Sequence, residues 1–275
     1  MANMKDRWVE LVTQLALRPD PDRMISSGIK YFRDIAFSIS GEEWNNGFPV
    51  SLADLAYEGR STKMAQLSRN YLNKPSLEAA RNKLIERTKK KADYSSVMVS
   101  MQAMDKDGRS QGHCLAYTIV THNPKNYTTG KPEVFVDVYY RVTEVIKKFG
   151  ADLIFLHDVV IPQILVEPYF LPEDITKVTF HFSNIYFSPL FLPIMVPQMD
   201  VIKLMYDISD TQPKEALRGC YNALWNITVD PEHYSYRTRR KMCCFLQKKT
   251  AENKYLYLDL LNNLAQKHNF LKEIT

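Results

Sequence analysis

The chain has 275 residues, of which 45% are apolar and 24% are charged, and it contains only 9 glycines. These values are typical of a globular protein and exclude a disordered, collagen-like or coiled-coil chain. Lysine and arginine (36) outnumber aspartate and glutamate (31), which gives a net charge of +5. So mild an excess suits a protein that handles phosphates but does not by itself indicate nucleic-acid binding.

The cysteines and histidines follow neither the spacing of a metal site nor that of a disulfide framework, so we expect no metal ligands and a reducing environment. The N-terminus lacks the uninterrupted apolar segment of a signal peptide. No apolar stretch reaches the roughly 18–20 residues that span a bilayer, so the sequence predicts a soluble, cytoplasmic protein without membrane contact. The cysteines considered for a metal site or a disulfide framework are Cys114, Cys220, Cys243 and Cys244, and the histidines are His113, His122, His157 and His181.

The first third of the chain predicts helices on either side of a strand. Apolar residues recur at helical spacing over residues 5–17, and a proline-rich turn ends this helix. Residues 29–39 are rich in aromatic and β-branched side chains, which predicts a strand. Residues 76–91 predict a second helix, with Ser76 as a possible N-cap and a basic C-terminal end.

The middle of the chain predicts three strands and one long apolar helix. The strands are expected at 95–103, 113–121 and 133–141. Residues 143–166 begin with a basic turn and then become almost wholly apolar. This pattern indicates a buried central helix that is kinked before Pro162.

A last strand is predicted at 175–187, and the remaining chain has a helical pattern. Strands and helices do not alternate regularly, which favours an α+β fold over a doubly wound α/β fold. No linker or low-complexity tract separates the segments. We therefore expect one domain, with a core at 1–197 and a divergent, mostly helical C-terminal part at 198–275.

Five short motifs occur in order within residues 5–190. They are Asp22-Arg23, Asn46-Gly47-Phe48-Pro49, Ser110-Gln111-Gly112-His113-Cys114, Tyr140-Arg141-Val142-Thr143-Glu144 with Asp152 downstream, and Ser183-Asn184-Ile185-Tyr186. In this order and spacing they resemble the thymidylate synthase family, which includes the pyrimidine nucleotide hydroxymethylases. The resemblance implies a thymidylate-synthase-like α+β fold with a twisted mixed sheet, a long buried helix and a helical C-terminal extension.

The family's reaction requires an attacking cysteine. Its thiolate adds to C6 of a pyrimidine nucleotide, which makes C5 nucleophilic toward a one-carbon unit carried by a folate. The resemblance implies Cys114 as nucleophile with His113 beside it, and methylenetetrahydrofolate as the cofactor of an active enzyme. Without gaps the nucleophile position falls on Gly112, so Cys114 lies two residues late, on the same face of a strand. The alternative is an inert, buried cysteine.

The resemblance also assigns residues that would bind the substrate. Arg23 and Arg141 would bind the phosphate, and Asn184 and Tyr186 would bind the sugar. Asp152 stands where members that read uracil have asparagine, and an aspartate can accept a hydrogen bond from the exocyclic amine of cytosine. The alternatives are a surface arginine at Arg141 and a surface or helix-capping aspartate at Asp152.

Three functions remain open on the sequence. The first is a divergent family member with a degenerate active site, which binds a pyrimidine nucleotide or has been reused for another binding role. The second is an active hydroxymethylase or methyltransferase that acts at C5 of dCMP or dUMP through Cys114. The third is a nucleic-acid-binding protein that uses the basic and aromatic segment 234–241.

The resemblance bears on partners and cofactors as well. Members of the family pair two sheets back to back, so we expect a homodimer with an isologous interface. The family's short folate-closing tail has no counterpart at Phe270–Thr275, and we therefore expect no folate cofactor unless the enzyme is active.

Overall fold

A seven-stranded β-sheet organises the computed structural model, which describes residues 1–49, 62–102, 114–195, 199–229, 259 and 261–270. The strands are β1 (Arg23–Met24), β2 (Lys30–Ser40), β3 (Ser95–Ser100), β4 (Leu115–Asn123), β5 (Glu133–Tyr140), β6 (Thr143–Glu144) and β7 (Ile175–Phe187). They lie in the order β1-β2-β7-β5-β4-β3, and β6 pairs with β7. Neighbours are antiparallel except that β7 runs parallel to β5 and β6, so the sheet is mixed, as predicted.

The helices gather before, between and after the strands, which confirms the α+β class. They are α1 (Met4–Leu17), α2 (Gly41–Asn45), α3 (Thr62–Tyr71), α4 (Lys74–Lys89), α5 (145–164), α6 (Val201–Ile208), α7 (Lys214–Val229) and α8 (261–268). Short 3₁₀ turns lie at Pro172–Asp174, Pro189–Met195 and Ser209–Thr211. Within the described part of the chain, no helix has the length and apolar character that a membrane span requires.

Local side-chain caps set where the helices begin. The side chain of Asn3 accepts hydrogen bonds from the first turn of α1, and Asp6 returns one to the backbone of Asn3. The N-cap of α4 is Asn73 rather than Ser76, so the sequence prediction was wrong by one turn. Proline is tolerated in the first turn of a helix, and Pro75 occupies that place. The hydroxyl of Ser76 instead accepts a hydrogen bond from the backbone N–H of Ser100 on β3.

Strands β2 and β7 share an irregularity at the same level of the sheet. At one end of the strands, on one side of this irregularity, Phe32 and Ile185 pair with each other and are buried. Beyond the irregularity, Phe37 and Phe180 pair with each other and are buried. The burial pattern therefore changes phase along both strands. At the change, Asp34 has φ +51, a value outside the range of an extended strand. Both strands thus keep apolar side chains in the core along their whole length.

Helix α5 forms the centre of the core, as the apolar run 143–166 predicts. Hydrogen bonds that span five residues widen its turns at Val145–Phe149 and Leu156–Val160. The second wide turn directly precedes Pro162, which has no N–H to donate and whose ring displaces the regular helical ladder. The kink predicted at this proline therefore takes the form of a widened turn.

Helix α1 reaches the start of α5 through Trp8. The indole Nε1 of Trp8 donates a hydrogen bond to the carbonyl oxygen of Val145 at 2.7 Å. The same ring lies against Gly150, where an added Cβ atom would be 2.9 Å from two ring carbons. Trp8 is 1% exposed and cannot move aside, so only glycine permits this approach.

The substitution Gly150→Ala tests this contact. Helix propensity alone would stabilise the variant by about 1 kcal/mol. Because the added methyl group collides with Trp8, we expect instead a loss of about 1–3 kcal/mol in the free energy of unfolding. Urea denaturation gives the sign directly, and a variant at least as stable as the parent would contradict the packing described.

Candidate functional site

Cys114 lies half-buried immediately before β4. Its carbonyl oxygen accepts a hydrogen bond from the backbone N–H of Arg141 at 2.8 Å, which ties the start of β4 to the end of β5. Cys114 is therefore not fully buried, contrary to one alternative that the sequence left open. His113, the predicted neighbour in catalysis, lies outside the described residues.

Two side chains approach the Cys114 thiol. The hydroxyl of Tyr71 donates a hydrogen bond to the sulfur and accepts one from the backbone N–H of Cys114. The Nζ atom of Lys148, one turn into α5, lies 4.0 Å from the same sulfur. A hydrogen-bond donor and a cation at these positions stabilise an anionic sulfur, which is the nucleophilic form.

A buried acid and two phenols lie beside this thiol. Asp152 is 4% exposed and sits well inside α5, so neither a surface nor a helix-capping aspartate describes it. Burial, and after it the nearby Asp152 carboxylate, raises the pKa of both Tyr71 and Tyr140. Both phenols therefore keep their protons at neutral pH and can donate hydrogen bonds. The Tyr140 hydroxyl is buried and has no hydrogen-bond partner within the described ranges.

Glu144 is a second buried acid, at 1% exposure. Its side chain caps α5 by accepting hydrogen bonds from the backbone N–H groups of Lys147 and Ile146, and it accepts another from Ser188. Burial nevertheless raises the pKa of Glu144 from its ordinary 4.5 to about 7, against these hydrogen bonds and the charge of Lys148. Its Oε1 atom has no hydrogen-bond partner among the residues that the structure describes.

Strand pairing places Glu144 in a row with three other side chains. Glu144 pairs with Tyr186, Tyr186 with Tyr31, and Tyr31 with Arg23. The rings of Tyr31 and Tyr186 are 5.4 Å apart. Paired residues point to the same face of a sheet, so Arg23 and Tyr186 share a face two strands apart, at about 10 Å.

Asn184 contacts residues of two neighbouring segments that carry arginines. Arg33 pairs with Asn184 across β2 and β7. The Asn184 amide donates a hydrogen bond to the carbonyl oxygen of Arg141 at 3.4 Å. The side chains of Arg23, Arg33 and Arg141 are all exposed. Asn184 therefore lies beside Arg33 and the backbone of Arg141, while Arg23 stands at the end of the row, beside Tyr31.

The structure brings every described candidate residue to one end of the sheet. These are Cys114, Arg141, Asp152, Asn184 and Tyr186 near β7, with Arg23 two strands away. Sequence reasoning missed Tyr71, Lys148 and the role of Glu144. The six residues Cys114, Tyr71, Glu144, Lys148, Asp152 and Tyr186 are called the Cys114 cluster below.

The three residues that sequence reasoning missed differ in how far the sequence could have indicated them. Glu144 directly precedes the apolar helix, where an acid suits the helix N-terminus. Lys148 belongs to the basic turn that opens the same helix. Tyr71 lies 43 positions before Cys114 in a polar helix and gave no signal, because only the tertiary fold brings the two together.

A metal-binding group of three or more histidine, cysteine or acidic side chains is not found within the described parts of the chain. No known protein-family model matches the sequence, and none of the curated proteins matches it significantly either. The chemistry of the site is therefore argued from its own residues.

The substitution Glu144→Gln tests the buried acid. Between pH 4.5 and about pH 7 the unfolded carboxyl ionises while the folded one keeps its proton. The parent protein should therefore lose roughly 3 kcal/mol of unfolding free energy relative to the variant as the pH rises through this window. Urea denaturation across the window measures the difference.

The exposed Glu78 on α4 supplies the control, because Glu78→Gln removes a carboxyl that is in contact with water. Its stability should follow that of the parent at every pH. A Glu144→Gln variant that also runs parallel to the parent would show that this carboxyl ionises normally.

Proposed function

We propose that the chain is a divergent protein with the thymidylate synthase fold and that its Cys114 cluster binds a pyrimidine nucleotide. The proposal rests on one observation. Residues from Arg23 to Tyr186, drawn from α3, α5, β1, β6 and β7, converge on one end of the sheet beside a half-exposed thiol. Buried acids cost free energy, and Glu144 offsets only part of that cost by capping α5. Hydrogen bonds to a polar ligand offset the remainder.

The basic and acidic side chains in this region match the two ends of a nucleotide, the phosphate and the base. The guanidinium groups of Arg23, Arg33 and Arg141 lie at the exposed edge, and their planar donors fit a phosphate dianion. The acids Glu144 and Asp152 lie in the buried part, where a base would be sheltered from water. Tyr31 and Tyr186 lie between the two regions, and we assign the sugar to them.

Asp152 favours cytosine over uracil in this proposal. An ionised aspartate only accepts hydrogen bonds, and the exocyclic amine of cytosine is a donor at the position where uracil carries an acceptor. The buried Tyr140 hydroxyl, which has no hydrogen-bond partner among the described residues, is a donor that suits the carbonyl oxygen of either base. The site therefore combines one discriminating group with one that binds both bases.

Thermal unfolding with dCMP and dUMP tests the assignment. A ligand at 100 times its Kd adds about 2.7 kcal/mol of stability, so dCMP should raise the Tm by several degrees. The variant Asp152→Asn should reverse the preference toward dUMP by about tenfold, since one charged hydrogen bond is replaced. Cytidine without phosphate is the control for the arginines and should bind more weakly. Equal responses to both nucleotides in the parent would contradict the role of Asp152.

A second function, chemistry at C5, is favoured by the surroundings of the thiol. Addition of the Cys114 thiolate to C6 forms a carbon–sulfur bond and leaves a carbanion at C5. Protonation at C5 by water, loss of the original C5 proton and expulsion of the thiolate then exchange that hydrogen without any cofactor. Tyr71 and Lys148 both stabilise the sulfur anion that enters and leaves this cycle.

Tritium release from [5-³H]dCMP measures this exchange. Cys114→Ser should abolish it, and Lys148→Met should slow it by about tenfold because the neighbouring cation is lost. Lys147→Met is the matched control, because the Lys147 ammonium lies over the ring of Phe191 instead. If dCMP binds but no tritium is released, the chain is a binding protein and the chemical function is wrong.

We propose further that the chain forms a homodimer through the face of the sheet opposite α5. On that face the rings of Tyr117 and Tyr139 stack at 4.5 Å, and Tyr139 stacks on His181 at 4.5 Å. Met98 lies on the same face and is 63% exposed. Aromatic and apolar side chains grouped on one flat face are typical of an interface.

Light scattering of Met98→Glu tests the dimer, because a charge within this face should produce monomers. Leu17→Glu is the control, since Leu17 is 47% exposed at the end of α1, which packs on the α5 side of the sheet through Trp8. A dimer that survives the Met98 change and dissociates with the Leu17 change would place the interface elsewhere.

A further inference from the structure

A cavity of about 610 Å³ lies at the end of α5 farthest from the Cys114 cluster. Helix α2, the last turn of α5 and the loop before β7 form its walls. Ile161 of the cavity is about 14 Å along the helix from Asp152. Ile175 and Tyr186 stand near opposite ends of β7, about 35 Å apart. The cavity is therefore separate from the site described above.

The cavity has a buried apolar floor and an exposed rim. Trp44, Phe170 and Ile175 are buried and close its interior. Glu167 and Leu171 are exposed at the rim. Its volume falls within the roughly 300–1,000 Å³ of small-molecule sites, which also combine apolar walls with a few polar groups.

One polar pair gives the cavity a fixed hydrogen-bonding group. His157 lines the cavity, and its Nδ1 lies 2.6 Å from Oδ1 of Asp158. Its ring meets Trp44 edge to face at 5.2 Å. Asp158 is exposed, so its carboxylate faces water beside the cavity. When His157 is neutral, the carboxylate holds the proton on Nδ1 and leaves Nε2 as an acceptor.

The segments that line the cavity carry only negative charge, although the whole chain has a net charge of +5. Neither 34–49 nor 149–176 contains a lysine or an arginine. Glu167 lines the cavity and is exposed, and Asp158 is the exposed neighbour of the lining residue His157. Arg7 of α1 pairs with Glu43 at 3.6 Å and so neutralises a different carboxylate. Lys89 of α4 lies over the ring of Tyr169 at 5.3 Å, outside the cavity lining, whereas Glu167 lines the cavity itself. The charge within the lining therefore favours a cation over an anion.

We propose that this cavity binds a small amphipathic cation, with an aromatic or branched apolar body and a protonated amine. The apolar body lies against Trp44 and Phe170, where it is removed from water. The ammonium stays at the rim near Glu167 and Asp158, so its charge is not buried without a partner. The inference is independent of the nucleotide proposal.

Isothermal titration with tryptamine tests the proposal, with indole-3-propionate as a probe of the same ring system and opposite charge. Tryptamine should bind at one site at least about tenfold more tightly, a difference of 1.4 kcal/mol. Added salt should reduce this preference, because the acids at the rim are exposed. Equal affinities, or no saturable binding of tryptamine, would overturn the proposal.

Two variants locate the binding. Glu167→Gln should weaken tryptamine binding by about two- to fivefold, the range for an exposed ion pair. Glu173→Gln removes the same charge from the neighbouring 3₁₀ turn, outside the cavity lining, and should have a smaller effect. Leu165→Trp fills the cavity and should abolish binding while the Tm stays near that of the parent.

The control variants also distinguish binding at the assigned site from attraction by the general negative field. If Glu173→Gln weakens binding as much as Glu167→Gln, the amine is held by the general field and the assigned site is wrong. If Leu165→Trp does not fold, the comparison of Glu167→Gln with Glu173→Gln still decides the question.

Discussion

The position of Glu144 determines where the candidate site lies. Its side chain caps the buried helix α5, and its backbone pairs β6 with Tyr186 on β7. One residue therefore fixes both the helix that carries Lys148 and Asp152 and the strand that carries Tyr186. An acid at 1% exposure costs free energy, and its raised pKa reflects that cost. The N–H groups at the start of the helix offset part of the cost, which explains why the acid is tolerated.

The strongly periodic elements could be predicted from the sequence. Strand β7 has the predicted bounds, and α1 and β2 lie within one residue of theirs, because amphipathic and β-branched patterns extend along their whole length. The short helix α2 was not predicted, since five residues cannot show a helical period. Its signal was the capping box formed by Ser40 and Glu43. The phase change at Asp34 was also missed, because it depends on two strands at once.

The candidate site was less predictable than the fold class. The ordered motifs located Cys114 and Asp152, but they left open whether either side chain was buried. Burial follows from packing against α3 and the sheet, which local spacing does not encode. Tyr71 shows the limit most clearly, because its partner thiol lies on a distant segment. The same holds for the cavity beside Trp44, whose walls come from separate parts of the chain.

The central claim is that a pyrimidine nucleotide binds beside the Cys114 sulfur. Alkylation by iodoacetamide, followed by peptide mass spectrometry, measures the reactivity of that sulfur alone, and the fully buried Cys220 serves as an internal reference. Saturating dCMP should slow alkylation of Cys114 at least about tenfold and leave Cys220 unchanged, since a bound base covers the thiol. An alkylation rate of Cys114 that is the same with and without dCMP would contradict the account.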